Sequence, residues 1–172
     1  MKVAVIGYSG AGKSTVAKQL ADFYNCPVLH LDKVQFEENW KERDIQQAKE
    51  MVHQFMENSC WVIDGNYEKF YLERRLEEAN QIIFLDFSRT TCLWRVYCRF
   101  RKYKNTTRGD MASGCKEKLD FDFLKWILID GRTKQKKKIY AQIISKYPHK
   151  TIALKNQHQV NTFLYRLTQA LG

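Results

Sequence analysis

A glycine-rich segment near the amino terminus carries the residues most suited to chemistry. It reads Gly7-Tyr8-Ser9-Gly10-Ala11-Gly12-Lys13-Ser14-Thr15 and satisfies the pattern G-x-x-x-x-G-K-[ST]. Glycines let several backbone N–H groups converge on phosphate oxygens, a lysine at this position reaches the β- and γ-phosphates, and the serine hydroxyl suits Mg²⁺. We therefore predict a nucleotide phosphate site. Its binding residues are Gly7, Ser9, Gly10, Ala11, Gly12, Lys13, Ser14 and Thr15, with Lys13 also catalytic and Ser14 a metal ligand.

Three carboxylates come at or just after predicted strand ends, where open α/β sheets place their ligands. Asp64 follows Trp61-Val62-Ile63, and its position suits an acidic residue that holds Mg²⁺ through water. Asp32, after Leu29-His30-Leu31, is a candidate to orient or deprotonate an acceptor hydroxyl. Asp86 is the weakest of the three candidates for a functional role. For each of them the alternative is a helix cap or a partner for a nearby lysine.

A basic helix is the third group of chemical interest. Arg95, Arg99 and Lys102 are spaced to share one face, while Leu93, Val96, Tyr97 and Phe100 form a packing face. We expect Arg95 and Arg99 to stabilise charge on a transferred phosphoryl group, and Arg108 to move inward with the segment that follows and to bind ATP. A solvated basic surface and a nucleic-acid surface remain alternatives, here and for the run 132–138, which reads Arg-Thr-Lys-Gln-Lys-Lys-Lys.

Short apolar runs alternate with helical segments along the chain, which is typical of a parallel sheet covered on both faces. The predicted strands are 3–6, 28–31, 61–63, 82–85 and 151–154. Apolar residues at helical spacing predict crossover helices, among them one from Ile45 to Phe55 and one from Val160 to Leu171. The long fourth connection is predicted as a helix, a polar lid segment at about 104–119, and a returning helix at 121–129. We expect one domain over residues 1–172.

Composition and charge limit the class of protein and the kind of partner. The 172 residues carry a net charge of +10, and the hydrophobic fraction of 44% excludes a disordered or low-complexity chain. Residues 1–87 have a net charge of −4 and residues 88–172 of +14, so an anionic partner would contact the second half. The five cysteines are scattered and predicted to be reduced. No apolar run is long enough to span a membrane, so we expect a cytoplasmic protein with no membrane partner.

Five sequence segments together resemble a known family. They are Gly7-Tyr8-Ser9-Gly10, Leu29-His30-Leu31-Asp32, Asp64-Gly65-Asn66-Tyr67, Glu73-Arg74-Arg75-Leu76 and Phe123-Leu124-Lys125-Trp126. With these residues the chain resembles adenylate-kinase-related P-loop proteins, and more closely the bacterial DNA topology modulation proteins. The resemblance implies a three-layer P-loop NTPase fold, a five-stranded parallel sheet in the order 2-3-1-4-5, ATP with Mg²⁺, and a lid around 105–114. It also implies roles for Arg95 and Arg99, which lie at the distances from Asp86 at which that family places two arginines.

The segment after the third strand departs from this pattern. Adenylate-type kinases read Gly-Phe-Pro-Arg there, with an arginine that holds a monophosphate, whereas this chain reads Gly65-Asn66-Tyr67-Glu68. Arg74 or Arg75 could compensate; otherwise a neutral acceptor with Asp32 as its base fits as well. We therefore predict phosphoryl transfer from ATP and Mg²⁺ to a nucleotide, a nucleoside or a small hydroxylated acceptor. The alternative is an ATP-gated nucleic-acid-binding protein that affects DNA topology.

Overall fold

The computed structural model describes residues 1–104 and 106–169. Predictions that involve Asn105 and Leu171 therefore lie outside the described residues. Five parallel strands form one sheet in the order β2-β3-β1-β4-β5, which confirms the predicted class and strand order. The strands are β1 (Lys2–Gly7), β2 (Val28–His30), β3 (Trp61–Asp64), β4 (Gln81–Leu85) and β5 (Thr151–Leu154).

Helices connect the strands and cover the sheet on both sides. They are α1 (Lys13–Tyr24), α2 (Leu31–Gln35), α3 (Ile45–Met56), α4 (Leu72–Glu78), α5 (Arg89–Tyr103), α6 (Phe121–Leu128), α7 (Lys134–Lys146) and α8 (Gln157–Gln169). Almost every residue of the three middle strands is buried, in contrast to the partly exposed β2 and β5. Because side chains of a strand alternate between the two faces, this burial requires helices on both faces.

The second strand is one residue shorter than predicted. Leu31 begins α2 instead of ending β2, and its side chain is fully buried against Gly65. A Cβ on Gly65 would lie only 2.8 Å from the Leu31 Cβ, so the absence of a side chain there makes room for Leu31. The helix starts early because this buried contact redirects the chain. As a result, Asp32 lies in the first turn of α2 and is exposed above the end of the sheet.

The predicted packing face of α5 is wrong at Tyr97. The buried residues are Cys92 and Val96, which lie one turn apart, whereas Tyr97 is 41% exposed. Tyr97 follows Val96 by one residue, and one residue rotates a helix by about 100°, away from the buried stripe. Trp94, at 65% exposed, packs beside Tyr97 with ring centroids 5.8 Å apart. The outer face of α5 is therefore aromatic as well as basic.

The lid segment has little regular structure in its described residues, Lys104 and 106–119. Isolated bridges pair Lys104 with Glu117 and Thr107 with Lys116, and the buried residues are Met111, Cys115 and Glu117. Its contacts with the rest of the molecule come from side chains, described below. Within the described ranges, no helix has the length and apolar character needed to cross a membrane.

Candidate active site

A cleft of about 1840 Å³ lies over the end of the sheet at which the parallel strands terminate. The phosphate loop, residues 7–15, forms its floor together with the ends of β2 and β3. Helix α2 and residues 65–69 line one side, and α5, α6 and the lid segment line others. The cleft therefore gathers the loop, two of the three predicted carboxylates and the predicted arginines into one site.

Glycines shape the phosphate loop at two points where the backbone adopts a positive φ that residues with side chains rarely adopt. Gly7 has φ +141°, and a Cβ on it would lie 2.5 Å from the carbonyl oxygen of Leu85 in β4. Gly12 has φ +93°, and its Cβ would lie 2.6 Å from a guanidinium nitrogen of Arg95. The loop is thus pressed against the sheet at one end and against α5 at the other. The Arg95 guanidinium lies directly beside the loop that is predicted to hold phosphate.

Lys13 lies at the floor of the cleft with part of its surface open to solvent. Its ammonium group donates to the carbonyl oxygen of Tyr8 at 3.2 Å, and it forms no ion pair with a carboxylate of the described residues. Desolvation lowers the pKa of Lys13, although the charges of Asp32 and Asp64 act in the opposite direction. A desolvated ammonium without a direct anionic partner is costly. An anionic ligand, such as a polyphosphate, would supply that partner.

Ser14 and Asp64 form a pair of oxygen donors beside Lys13. The Ser14 hydroxyl donates to Asp64 Oδ2 at 2.9 Å, and Asp64 is almost completely buried at the end of β3. His30 Nδ1 contacts the other carboxylate oxygen. Burial opposes charge on His30, but its hydrogen bond to Asp64 and the charges of Asp64 and Asp110 raise its pKa.

These two oxygen donors fit Mg²⁺. Magnesium prefers oxygen ligands and is usually held by one or two protein groups together with water and substrate phosphates. In the part of the chain that the structure describes, no three His, Cys, Asp or Glu side chains converge into a metal site. The donors present therefore suit an ion that shares its ligands with a nucleotide.

Asp32 borders the same cleft from α2. Its carboxylate accepts a hydrogen bond from the Tyr67 hydroxyl at 2.8 Å, and Tyr67 follows β3 by three residues. Burial, followed by the charge and hydrogen bond of Asp32, raises the pKa of Tyr67. Tyr67 therefore stays a hydrogen-bond donor and fixes the position of Asp32. The pair forms the acidic side of the cleft.

The predicted arginines are held by different partners. Arg95 donates to Gln157 at the start of α8 at 3.1 Å and packs over the Phe87 ring. Arg99 Nε donates to one oxygen of Glu117 at 2.7 Å, and Arg108 Nε donates to the other at 2.6 Å. The Glu117 side chain is only 3% exposed. One buried carboxylate thus joins α5 to the lid segment.

Sequence reasoning missed three groups that shape the cleft. Asn66 makes two hydrogen bonds with the Gly7 backbone, accepting from its N–H at 3.0 Å and donating to its carbonyl at 2.7 Å. Glu117 joins the two arginines, and Trp126 Nε1 donates to the Ser9 hydroxyl at 3.1 Å. The contacts of Asn66 and Trp126 join residues 59 and 117 positions apart, and those of Glu117 join residues 9 and 18 positions apart at no regular spacing, so the sequence pattern carried no signal for them. The local hints were the segments Asp64-Gly65-Asn66-Tyr67 and Phe123-Leu124-Lys125-Trp126, which contain Asn66 and Trp126.

The remaining predicted site residues lie mostly outside the cleft. Asp86 follows β4 but does not line the cleft; its N–H pairs with Leu154 of β5. Of the run 132–138, Arg132 is buried, donating to the Phe87 carbonyl and lying 3.7 Å from the Tyr8 ring centroid. Lys136 lines the cleft over the Trp126 ring. The run is therefore divided between a structural arginine, one lysine of the cleft, and residues outside it.

Comparisons with solved structures place this fold among kinases. No family model and no curated protein matches the chain. Shikimate kinase from Acinetobacter baumannii, in complex with shikimate, is similar over 99% of this chain and 92% of its own, with 16% identity and a TM-score of 0.58. Shikimate kinase from Bacteroides thetaiotaomicron is similar over 99% and 98%, with 18% identity and a TM-score of 0.52.

A third structure is a deoxyadenosine kinase from M. mycoides with the products dCMP and dCDP. It is similar over 99% of this chain and all of its own, with 14% identity and a TM-score of 0.50. None of the three is a DNA topology modulation protein, so that resemblance stays a prediction. At these identities the likeness establishes architecture. The chain has the fold of P-loop kinases.

Proposed function

We propose that this protein is an ATP-dependent phosphotransferase that phosphorylates a hydroxyl group of a small acceptor. The observation that carries the proposal is the Lys13 ammonium, desolvated and without a carboxylate partner among the described residues, beside the Ser14–Asp64 pair. A polyphosphate with its metal ion complements these groups in both charge and position. The kinase fold of the structural neighbours supports the same conclusion.

The phosphate loop and its surroundings form the donor half of the site. Backbone N–H groups of residues 9–15 and the Lys13 ammonium bind the ATP phosphates, and Arg95 lies against the loop at Gly12. Ser14 and Asp64 would hold Mg²⁺, with Asp64 expected to act through water. Bound there, the ion neutralises charge on the phosphate oxygens. Trp126 and Asn66 fix the loop from its two sides through Ser9 and Gly7.

Transfer requires an acceptor oxygen in line with the terminal phosphate. Asp32 orients the acceptor hydroxyl and takes its proton, while Tyr67 holds the Asp32 carboxylate in place. The acceptor oxygen forms a bond to the γ-phosphorus, the bond to the β–γ bridging oxygen breaks, and ADP leaves with that electron pair. Arg99 and Arg108, carried by α5 and the lid segment, stabilise the charge on the transferred group. The lid excludes water from the reaction.

The acceptor half argues against a phosphorylated acceptor. Arg75 is fully buried and donates to three backbone carbonyls, those of Phe70, Gly65 and Tyr67. Arg74 pairs with Glu57 and Glu78 outside the cleft, so neither arginine replaces the missing phosphate ligand. Exposed lysines reach this side, but they are flexible point charges and lack the bidentate geometry of arginine. We therefore favour an unphosphorylated acceptor.

Formation of ADP from ATP and Mg²⁺ by the purified protein tests this proposal. The panel contains nucleosides, nucleoside monophosphates and small polyols, and each reaction is repeated with Lys13→Ala. We expect acceptor-dependent ADP formation that the substitution removes. Lys137→Ala, on the exposed part of α7 outside the cleft, is the matched control and should keep full activity. Equal activity in a folded Lys13→Ala protein would refute the proposal.

A second candidate function rests on the outer face of α5. Trp94, Tyr97, Arg101 and Lys104 are all exposed and recur at helical spacing, which suits stacking on unpaired bases and contact with phosphates. This face favours single-stranded nucleic acid as a partner. Titration of a fluorescent single-stranded oligonucleotide tests it: affinity should fall steeply with salt and should drop in Trp94→Ala. An affinity that changes neither with salt nor in Trp94→Ala would exclude this face as a nucleic-acid site.

A further inference from the structure

We infer that the acceptor carries a planar ring and no phosphate, the chemical class that nucleosides represent. The inference rests on the proposed phosphotransferase function and specifies its substrate. It comes from the aromatic and acidic side chains that surround Asp32, the group we expect to face the acceptor hydroxyl. Neither the phosphate loop nor the arginines contribute to it.

Phe36 and Trp40 place two rings next to Asp32. The Phe36 N–H donates to the Asp32 carbonyl at 3.1 Å, so Phe36 follows Asp32 by one helical turn and projects toward the same side. Its ring meets that of Trp40 at 5.3 Å between centroids and 70° between planes. Both side chains are half-buried and line the cleft. Partly uncovered rings at a binding cleft provide faces on which a planar ligand stacks.

A third ring and a second carboxylate complete this wall. Tyr67, bound to Asp32, packs against Phe70 at 5.3 Å and also lines the cleft. Glu42 forms an isolated bridge with Phe36 and is close enough for its charge to raise the pKa of Tyr67, after the larger effects of burial and Asp32. Carboxylates accept hydrogen bonds from the amino groups on base edges. A ring with such groups therefore matches both features of the wall.

The backbone that carries Trp40 is strained and depends on the lid segment. Asn39 and Trp40 have φ of +57° and +66°, which are unfavourable for residues with side chains, Trp above all. Trp40 Nε1 donates to the Lys116 carbonyl at 3.2 Å, and its backbone N–H contacts Cys115 Sγ at 3.2 Å. Strain of this kind persists where surrounding contacts enforce it, often at ligand clamps. The lid thus holds the aromatic wall in place.

The carboxylates near these aromatic side chains disfavour an acceptor that carries a phosphate group. Asp32 and Glu42 both line this side, and a phosphate group would face their repulsion. The cations on this side are lysines, among them Lys118 with its Nζ 4.8 Å from the Trp40 ring centroid, and they lack the bidentate geometry of arginine. Arg43, the arginine nearest in sequence, donates to the Val34 carbonyl and lies near Glu37, and it does not line the cleft. The wall is therefore suited to an uncharged nucleoside and unsuited to its monophosphate.

Two measurements on the full chain test the inference. The first is equilibrium binding of adenosine, cytidine and their deoxy forms by calorimetry, compared with the corresponding monophosphates and with shikimate as a ring-bearing acid that is not planar. The second is the KM of each acceptor in the ADP assay. Phe36→Leu keeps apolar volume but removes the stacking face. Phe163→Leu, a half-buried phenylalanine of α8 outside the cleft, is the matched control.

We expect at least one nucleoside to bind, and Phe36→Leu to weaken its binding and raise its KM about tenfold while the KM of ATP stays unchanged. Nucleoside binding that depends on Phe36 without any ADP formation would support a nucleoside site at this wall but refute its role as an acceptor site, together with the phosphotransferase. ADP formation with monophosphates or shikimate alone, or an unchanged nucleoside KM in Phe36→Leu, would overturn the inference and leave the phosphotransferase standing. Circular dichroism of both variants establishes that they are folded.

Discussion

The donor half and the acceptor half of the cleft are built in different ways. The donor half is built mainly on one continuous loop between a buried strand and a helix, and most of its groups, Lys13, Ser14 and the glycines, lie within residues 7–15. The acceptor half joins α2, the segment after β3 and the lid, through contacts such as Tyr67 with Asp32 and Trp40 with Lys116. These two contacts span 35 and 76 residues of the chain.

This difference in construction suits the donor half to catalysis and the acceptor half to substrate specificity. A loop pressed against β4 and α5 is rigid and suited to a reactant common to many enzymes, such as ATP phosphates. Short helices, strained turns and an irregular lid can change residue by residue without disturbing the sheet. We therefore expect substitutions in the donor half to change turnover, and those in the acceptor half to change which acceptor is used.

The largest expected effect is that of Lys13→Met, which removes the ammonium but keeps much of the side-chain volume. Loss of one preorganised charge at the transferred group lowers kcat by at least about 10²-fold. The melting temperature should stay the same or rise, because the folded protein no longer desolvates an ammonium that lacks an ion pair. Steady-state kinetics and differential scanning calorimetry measure the two effects. A large fall in melting temperature would mean that Lys13 is structural.

Arg75 and Arg74 are adjacent in sequence, but one is buried and the other forms surface ion pairs, so they should differ sharply in their effect on stability. Arg75→Met leaves the carbonyls of Phe70, Gly65 and Tyr67 without their shared donor, which should lower the free energy of unfolding by about 3 kcal/mol. Arg74→Ala breaks only partly exposed ion pairs and should cost about 0.5 kcal/mol. Urea denaturation compares them. Equal losses would contradict the assignment of Arg75 as the support of residues 65–70, the acceptor loop that follows β3.

These arginines also mark where the sequence stops being informative. The loop motif and the strand pattern predicted a parallel α/β fold because both depend on local spacing and on periodic burial, whereas the strand order was implied only by the family resemblance. The roles of Arg74 and Arg75 depend on which of two neighbouring residues turns inward, and that is decided by the positive φ of Tyr71 before α4 and by contacts across the loop. The outward position of Tyr97 likewise follows from how α5 packs, which amphipathic spacing alone did not specify.

Glu117→Gln tests whether the lid belongs to the acceptor half. The substitution keeps the shape of the side chain but removes the charge that joins Arg99 to Arg108. We expect kcat for transfer to fall about tenfold, a change equivalent to about 1.4 kcal/mol, and the lid to open more often. Limited proteolysis within 104–119 and ADP formation without acceptor report the opening. Faster cleavage together with more ADP formation per acceptor phosphorylated would support this role.

A higher kcat in Glu117→Gln would contradict this role of Glu117. In that case Glu117 competes with the transferred phosphate for the two arginines, and its removal frees them. Lys116→Gln provides the control, because this neighbouring side chain is exposed and does not line the cleft.

The smallest effect concerns Asn66, where the two halves meet. Its amide pairs with both backbone groups of Gly7, so a residue of the acceptor loop positions the start of the phosphate loop. Asn66→Ala removes both hydrogen bonds, and Asn66→Asp keeps the acceptor for the Gly7 N–H but loses the donor to its carbonyl. Each neutral hydrogen bond contributes about 1 kcal/mol to the position of Gly7, and only part of that free energy is expressed in ATP binding, so Asn66→Ala should raise the KM of ATP by about fivefold. Asn66→Asp should raise it more than the loss of one bond predicts, since its carboxylate faces a carbonyl oxygen. If the KM of the acceptor changes instead, while that of ATP does not, then the acceptor loop does not position the phosphate loop, and the two halves function independently.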